Sequence, residues 1–257
     1  MEPIVSLIQA RMSSSRLPGK VLRPLAGVSV LEHVVSRARE FSEQVAVCTS
    51  LDPSDALIAE LCDSLGVICV RGSLDDVFSR YRLALADERL EPTAWFARIT
   101  ADCPLISARL ALGLIEMIDD DLDYLALGRH SVARGVAIEL VRRSVFEKID
   151  AGALDAAERE HVTLHLYETP GRFGCRIAAP CGSLARPELR LCIDYEEDYE
   201  LLTALFAQIP QCTAEKAADY LAQHPELARI NAQCRQKPAR EPLRREMLEG
   251  DPPSDAR

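Results

Sequence analysis

No stretch of this 257-residue chain is apolar for long enough to cross a bilayer, and no basic segment precedes a long apolar one at its amino terminus. A membrane or exported protein is therefore not expected, and we predict a cytoplasmic location. Positive charge is also in short supply, with 30 Lys and Arg against 40 Asp and Glu and a formal net charge of −10. Because binding to nucleic-acid phosphates needs an extended basic surface, nucleic acid is not expected as a partner.

Three common motifs are missing as well. The nine cysteines include no Cys-x-x-Cys pair, so a structural zinc site is not expected. The usual dinucleotide fingerprint Gly-x-Gly-x-x-Gly is absent too. Gly19-Lys20 suggests the end of a P-loop, but Ser14 stands where that motif needs glycine and Val21 where it needs Ser or Thr.

Short apolar runs alternate with amphipathic stretches along most of the chain. The apolar runs predict strands at 4–9, 45–49, 67–70 and 94–99, and weaker ones at 123–127, 137–141, 173–178 and 190–193. Helical spacing predicts helices at 31–38, 57–65, 77–85, 107–118, 155–167 and 196–208. Strands separated by helices of this length predict an α/β fold, a Rossmann-like three-layer sandwich around a mostly parallel mixed sheet.

The alternation loosens between about 128 and 180, where we expect a small inserted lobe that serves the acceptor or dimerisation. From residue 234 to residue 257, Pro, Arg and Glu dominate, and a disordered tail is predicted. Residues 1–233 are then expected to form the folded domain.

The segment Gln9-Ala10-Arg11-Met12-Ser13-Ser14-Ser15-Arg16-Leu17-Pro18-Gly19-Lys20 follows the first predicted strand directly. The first 40 residues hold six basic and three acidic side chains, so positive charge concentrates in this part of an acidic protein. Arg11, Arg16 and Lys20 bracket a compact turn of Ser, Pro and Gly. A loop of this kind, held on a rigid strand, suits an anion, and a triphosphate is its natural ligand. A solvated basic loop is the alternative.

Ligands of open α/β sheets bind at the carboxyl ends of the strands, which directs attention to the residues that follow them. Asp102 follows the strand at 94–99, and a carboxylate there suits Mg²⁺, which usually takes one or two carboxylates and leaves its other positions to phosphate and water. Asp194 follows the segment 190–193 and is the second candidate. For both aspartates the alternative role is a helix N-cap.

Two other groups of residues have the spacing of a metal site. Asp121-Leu122-Asp123 contains the Asp-x-Asp pattern that binds metal in sugar transferases, but here it follows a predicted helix and a solvated turn is favoured. His161 and His165 would share one helix face. Since no third ligand stands nearby in sequence, metal binding by these histidines is not favoured.

The opening motif, Ile8 to Leu22, closely resembles that of cytidylyltransferases of the spore coat polysaccharide biosynthesis type, which are related to CMP-Kdo synthetase and acylneuraminate cytidylyltransferase. The similarity runs from Ile4 to about Phe206. Further matches are Leu31-Glu32-His33, Arg71-Gly72-Ser73-x-x-Asp76-Val77, Arg80-Tyr81, Arg98-Ile99-Thr100-x-Asp102-Cys103-Pro104-Leu105-Ile106 and Arg159-Glu160-His161-Val162-Thr163.

The resemblance implies a nucleotidyltransferase of GT-A-like architecture that uses CTP and Mg²⁺ and forms a homodimer. It implies metal binding by Asp102 and Asp194, and catalysis by these two together with Arg11 and Lys20. The nucleotide-binding residues that it implies are Ala10, Arg11, Ser14, Arg16, Lys20, Thr49, Arg71, Ser73 and Asp102. The acceptor-binding residues are Arg98, Glu139, Glu160 and His161.

The activity implied by the resemblance is transfer of CMP from CTP to an acidic acceptor with release of pyrophosphate. The expected acceptor is a 3-deoxy-ulosonic or nonulosonic sugar acid. A small phosphonate or phosphate acid is the alternative, because Ala137 stands where relatives tend to have an aspartate in Gly-Leu-Asp-x-Glu. Two further alternatives are a non-catalytic nucleotide-binding subunit and a glycosyltransferase that uses Asp121-Leu122-Asp123.

Overall fold

The computed structural model describes residues 2–128, 130–169, 171–180 and 182–236. The strands are β1 (Ile4–Gln9), β2 (Pro24–Leu25), β3 (Val28–Ser29), β4 (Gln44–Ser50), β5 (Ile68–Gly72), β6 (Trp95–Thr100), β7 (Tyr124–Leu127), β8 (Glu139–Arg142) and β9 (Cys175–Ala178). The helices are α1 (Val30–Ala38), α2 (Ala56–Leu65), α3 (Val77–Leu85), α4 (Ala108–Ile115), α5 (Arg143–Phe146), α6 (Ala156–Glu160), α7 (Leu164–Tyr167), α8 (Glu196–Gln208), α9 (Ala214–Gln223) and α10 (Pro225–Ala228).

The main sheet has seven strands in the order β5-β4-β1-β6-β8-β7-β9. Strand β1 pairs in parallel with both β4 and β6, and β8 is antiparallel to both β6 and β7. The predicted fold class, an α/β fold around a mostly parallel mixed sheet, is confirmed. Because the chain builds the sheet first to one side of β1 and then to the other, the crevice for a ligand lies at the carboxyl ends of β1 and β6.

Helices cover both faces of this sheet. Helices α1, α2, α4, α8 and α9 contribute to one hydrophobic core, and α3, α5 and α7 contribute to the other. Strand β6 shows how the sequence divides between them, since Ala97 and Ile99 pack in the first core and Phe96 in the second. Alternation with a period of two sends successive side chains to opposite faces, which produces the three layers.

Two predicted elements are wrong. The segment 190–193 is not a strand, because only Arg190 bridges to Arg134 and the remainder bonds to loops. The helix predicted at 155–167 is interrupted: α6 ends at Glu160 and α7 begins at Leu164, with Val162 between them at a φ of 42°. A β-branched residue in the left-handed region breaks the helix, so His161 and His165 do not share a helix face.

Three features of the fold bear on the remaining predictions. The hairpin β2–β3 and the helices α5, α9 and α10 were not predicted from the sequence. Strands β8 and β9, which fall in the range 128–180, both pair within the main sheet, and the division into a domain and an inserted lobe stays a prediction. Of the predicted tail, residues 237–257 lie outside the described residues. Within the described ranges, no helix combines the length and apolarity that a bilayer crossing requires.

Candidate nucleotide site

The cationic loop leaves β1 and is held in place by a buried carboxylate. Asp55, which is fully buried, accepts a hydrogen bond from the Met12 backbone N–H at 2.7 Å, and its other oxygen accepts one from the Ser50 hydroxyl at 2.5 Å. The loop then closes on itself, where the Gly19 N–H donates to the Met12 carbonyl at 2.9 Å. Gly19 has a φ of 71°, a conformation that favours glycine. These contacts place the side chain of Lys20 over the end of the sheet.

The Lys20 ammonium lies between the two predicted metal ligands. Its Nζ donates to Asp102 Oδ2 at 2.6 Å, to Asp194 Oδ1 at 2.9 Å and to the Ile193 carbonyl at 2.6 Å. Asp102 follows β6 and Asp194 precedes α8, so the tertiary fold brings together two carboxylates that are far apart in sequence. Only 9% of the Lys20 side chain is exposed.

Further charges surround Asp194. Arg16 Nη2 donates to Asp194 Oδ1 at 2.5 Å, and the Arg16 guanidinium lies 5.0 Å from the ring centroid of Tyr195. On the other side, Arg190 Nη2 is 3.5 Å from Asp194 Oδ2 and 3.1 Å from Asp198 Oδ2. Asp198 is fully buried and also accepts the backbone N–H groups of Asp194 and Tyr195 at 2.9 and 3.1 Å. It therefore fixes the backbone that carries Asp194.

The electrostatics of the site keep both partners of each pair charged. Burial alone would lower the pKa of Lys20, but the attraction of Asp102 and Asp194 outweighs it and raises that pKa well above its usual value. Burial would raise the pKa of Asp102, but the charge and hydrogen bond of Lys20 lower it to about 2. For Cys103, burial and the neighbouring Asp102 raise the pKa of the thiol well above its usual value. Cys103 is therefore a neutral thiol and not a poised nucleophile.

The predicted acceptor residues lie on the face of the sheet that α3 and α6 cover. Arg98 donates from Nε and Nη2 to Gln9 Oε1 at 3.2 and 3.0 Å, and its Nη1 is 3.6 Å from Glu139 Oε2. Glu139 Oε2 also accepts from the Thr163 hydroxyl at 2.6 Å. Glu160, the last residue of α6, accepts from Arg11 at 3.3 Å, and His161 follows directly. The structure thus connects the cationic loop to the predicted acceptor residues.

The remaining predicted nucleotide residues lie along the carboxyl edge of the sheet. Arg71, near the end of β5, donates to the carbonyls of Ser50 and Asp52 at 2.8 and 3.0 Å. Thr49 is paired in register with Arg71, and its buried hydroxyl has no hydrogen-bond partner among the described residues. In the loops, the hydroxyls of Ser14 and Ser73 accept from nearby backbone N–H groups. Ala10, the first residue after β1, is buried and donates to the Cys48 carbonyl.

A family model described as cytidylyltransferase matches residues 5–229 of the chain. The chain belongs to the cytidylyltransferase family. The spore coat polysaccharide biosynthesis protein SpsF of Bacillus subtilis is 30% identical over 241 residues, which cover 89% of this chain and 98% of that protein. A 3-deoxy-manno-octulosonate cytidylyltransferase of an Acidovorax strain is 34% identical over 110 residues, or 42% of this chain and 41% of that enzyme.

Among solved structures, a cytidylyltransferase from Leptospira borgpetersenii superposes with a TM-score of 0.80 at 27% identity, over 89% of this chain and 97% of that one. The resemblance stated from the opening motif is therefore confirmed. The chain is an enzyme of the nucleotidyltransferase class.

Two groups that could have suggested another chemistry have structural explanations in this cytidylyltransferase. Asp121 and Asp123 precede β7, which runs in the same direction as β6, so they lie at the edge of the sheet opposite to Asp102. Asp123 there accepts the Gly174 N–H at 2.9 Å. His165 pairs with Glu158 at 2.9 Å. Among the described residues, no group of three or more His, Cys, Asp or Glu side chains is arranged to hold a metal ion.

Sequence reasoning missed three buried charges that shape the site. Asp55 and Asp198 orient the two backbone segments described above, and nothing in their local sequence sets them apart from ordinary helix-start aspartates. Arg80 is 1% exposed, donates to the Cys48 carbonyl at 3.2 Å, and lies where a Cβ on Gly72 would be 2.8 Å from its Cγ. Burial lowers the pKa of this arginine. The Arg80-Tyr81 match to the family was the available signal.

Proposed function

We propose that this cytidylyltransferase transfers CMP from CTP to an acidic acceptor, a 3-deoxy-ulosonic or nonulosonic sugar acid, and releases pyrophosphate. The observation that carries the proposal is the meeting of Asp102 and Asp194 beside Arg16 and Lys20 at the carboxyl ends of β1 and β6. The names of the Bacillus and Acidovorax relatives, one in polysaccharide biosynthesis and one a sugar-acid cytidylyltransferase, support this class of acceptor.

The residues present fit a magnesium ion. The oxygens of Asp102, Asp194 and Ile193 converge on one cation, the Lys20 ammonium, and hard oxygen donors of this kind are what Mg²⁺ prefers. We propose that Asp102 and Asp194 hold the metal. When bound, Mg²⁺ would neutralise phosphate charge and polarise the α-phosphate.

The side chains of the loop act on the phosphates. An acceptor oxygen forms a bond to the α-phosphorus while the bond from that phosphorus to the β-phosphate oxygen breaks, and the pyrophosphate carries away the negative charge. Arg11, Arg16 and Lys20 stabilise that charge. The Arg11–Glu160 pair is exposed on both sides and therefore weak, so Arg11 is readily released to a phosphate. Loss of one such cation should reduce kcat by about 10²–10³-fold, as loss of an oxyanion donor does.

Release of pyrophosphate tests the proposal. Purified protein with CTP and Mg²⁺ is assayed against a panel of 3-deoxy-ulosonic acids, nonulosonic acids and small phosphonate and phosphate acids. We expect release with a sugar acid, and its loss in Asp102→Asn and Asp194→Asn, because each removes a metal-binding carboxylate.

The matched control is Asp121→Asn, at the opposite edge of the sheet, which should keep full activity. Loss of activity in this control alone would favour a glycosyltransferase. Release with only a phosphonate or phosphate acid would favour the alternative suggested by Ala137. Tight CTP binding without release for any acceptor would favour a non-catalytic subunit.

A further inference from the structure

We propose that Lys20 is a resident cation of the two carboxylates, so that a divalent metal binds together with the nucleotide and not before it. This inference rests on the proposed function, since it takes Asp102 and Asp194 as the metal ligands. It concerns what Lys20 does before the ligand arrives, and it predicts an order of binding.

The first argument is that the ammonium and the metal need the same oxygens. Lys20 uses its three N–H donors on Asp102, Asp194 and the Ile193 carbonyl, at 2.6–2.9 Å. Mg²⁺ binds oxygen at about 2.0–2.1 Å, so a metal shared by the same two carboxylates would stand at nearly the position of Nζ. Two cations cannot occupy one position. The ammonium must therefore leave when a metal binds.

The second argument is charge balance. The cluster pairs Asp102, Asp194 and Asp198 with the cations Lys20, Arg16 and Arg190, and is formally neutral. Most of these side chains are buried. A bare divalent ion would add two positive charges to this poorly solvated cluster, which is unfavourable. A triphosphate supplies the missing negative charge and offers Lys20 and Arg16 new partners.

The third argument is that Lys20 can move. It opens a single 3-10 turn, Lys20–Leu22, directly after Gly19, and its charge is carried on a flexible four-carbon stem. Arg16 contacts the same Asp194 oxygen as Lys20 and belongs to the same loop. One ligand, the triphosphate, can therefore draw both cations away from Asp194 and free its carboxylate for the metal.

The test is the binding of Mn²⁺ followed by electron paramagnetic resonance, with no nucleotide and then with CTP. Wild-type protein should bind Mn²⁺ weakly alone and tightly with CTP. Lys20→Met, which keeps the length of the stem and removes the charge, should bind Mn²⁺ without nucleotide about 10–100-fold more tightly than wild type, the change expected on losing a charge-assisted hydrogen bond. Lys148→Met, at an exposed position, is the matched control and should behave as wild type.

Two further variants protect the test. Lys20→Gln should show the same gain if the methionine variant folds poorly, as judged by far-UV circular dichroism. The double variant Lys20→Met with Asp102→Asn should lose the gain, because the metal then has only one of its two carboxylates.

The inference is overturned if wild type binds Mn²⁺ equally well with and without CTP, or if the Lys20 variants show no gain. Absence of protein-bound Mn²⁺ in wild type even with CTP would instead overturn the metal site of the proposed function, which separates the two failures.

Discussion

Asp198 lies beneath the site, fully buried, and contacts Arg190 and the backbone N–H groups of Asp194 and Tyr195. It does not reach the Lys20 ammonium. Its effect passes through Asp194, whose backbone it holds, so we regard it as a positioning residue. At the scale of single residues, the proposed site thus depends on a buried carboxylate below as well as on the two carboxylates that face the ligand.

Asp198→Asn should destabilise the protein by about 3 kcal/mol, because it leaves the Arg190 guanidinium buried without its charged partner. Urea unfolding measures this loss, and the activity of the folded fraction should fall as Asp194 loses its support. Asp87→Asn is the control. The pair of Asp87 with Arg89 lies at the surface, so its loss should change the free energy of unfolding by less than about 1 kcal/mol. Equal effects in the two variants would contradict the positioning role.

At the scale of elements, the loop at 134–136 packs directly against the segment that leads to Asp194. The Arg134 N–H donates to the Leu189 carbonyl, and the Leu191 N–H donates to the Arg134 carbonyl. Gly135 permits this close approach: its φ is 88°, and a Cβ there would be 2.7 Å from Cys192 Cβ and 2.8 Å from the Cys192 nitrogen. Two loops are therefore packed backbone to backbone.

Gly135→Ala should lower the free energy of unfolding by about 2–4 kcal/mol, the sum of left-handed backbone strain and overpacking. Chemical denaturation measures the change. Gly113→Ala is the matched control, because a Cβ at Gly113 meets nothing within 4 Å and the residue lies inside α4. Helix propensity predicts that this control is stabilised by up to about 1 kcal/mol. A Gly135 variant as stable as wild type would mean that the loops separate easily.

The same scale shows where local pattern succeeds and fails. Periodicity predicted β1, β4, β6 and α8 nearly to the residue, because each buries one regular face. It failed at Val162, where one residue in the left-handed region splits a helix, and at 190–193, where an apolar run packs as a loop. In both cases, packing against distant residues overrode a local preference.

At the scale of the whole molecule, an acidic protein of net charge −10 presents Arg11, Arg16 and Lys20 at one edge of its sheet. The order of the strands around β1 places this loop next to the ends of β6 and of the segment before α8. A ligand bound there contacts parts of the chain that are distant in sequence. Its binding energy should therefore stabilise the global fold.

CTP with Mg²⁺ should raise the thermal unfolding midpoint more than CTP alone, because the complex meets both the cations and the carboxylates. At a ligand concentration 100 times Kd, linkage gives about 2.7 kcal/mol of stabilisation. Scanning calorimetry with CTP, UTP, ATP and GTP measures the effect, and CTP should give the largest shift in this cytidylyltransferase. Equal shifts with and without the metal would contradict the proposed role of Asp102 and Asp194.

From the sequence alone came the α/β class, most strand and helix positions, the cationic loop and the identity of Asp102 and Asp194 as candidates. Each of these is written in local pattern or in a continuous motif, which is why it can be found without coordinates. The interrupted helix near Val162, the buried supports Asp55 and Asp198, and the position of Lys20 between two carboxylates were decided only by the tertiary structure. The physical reason is that such contacts join residues far apart in the chain, and only the packed sheet sets their distance and shields them from water.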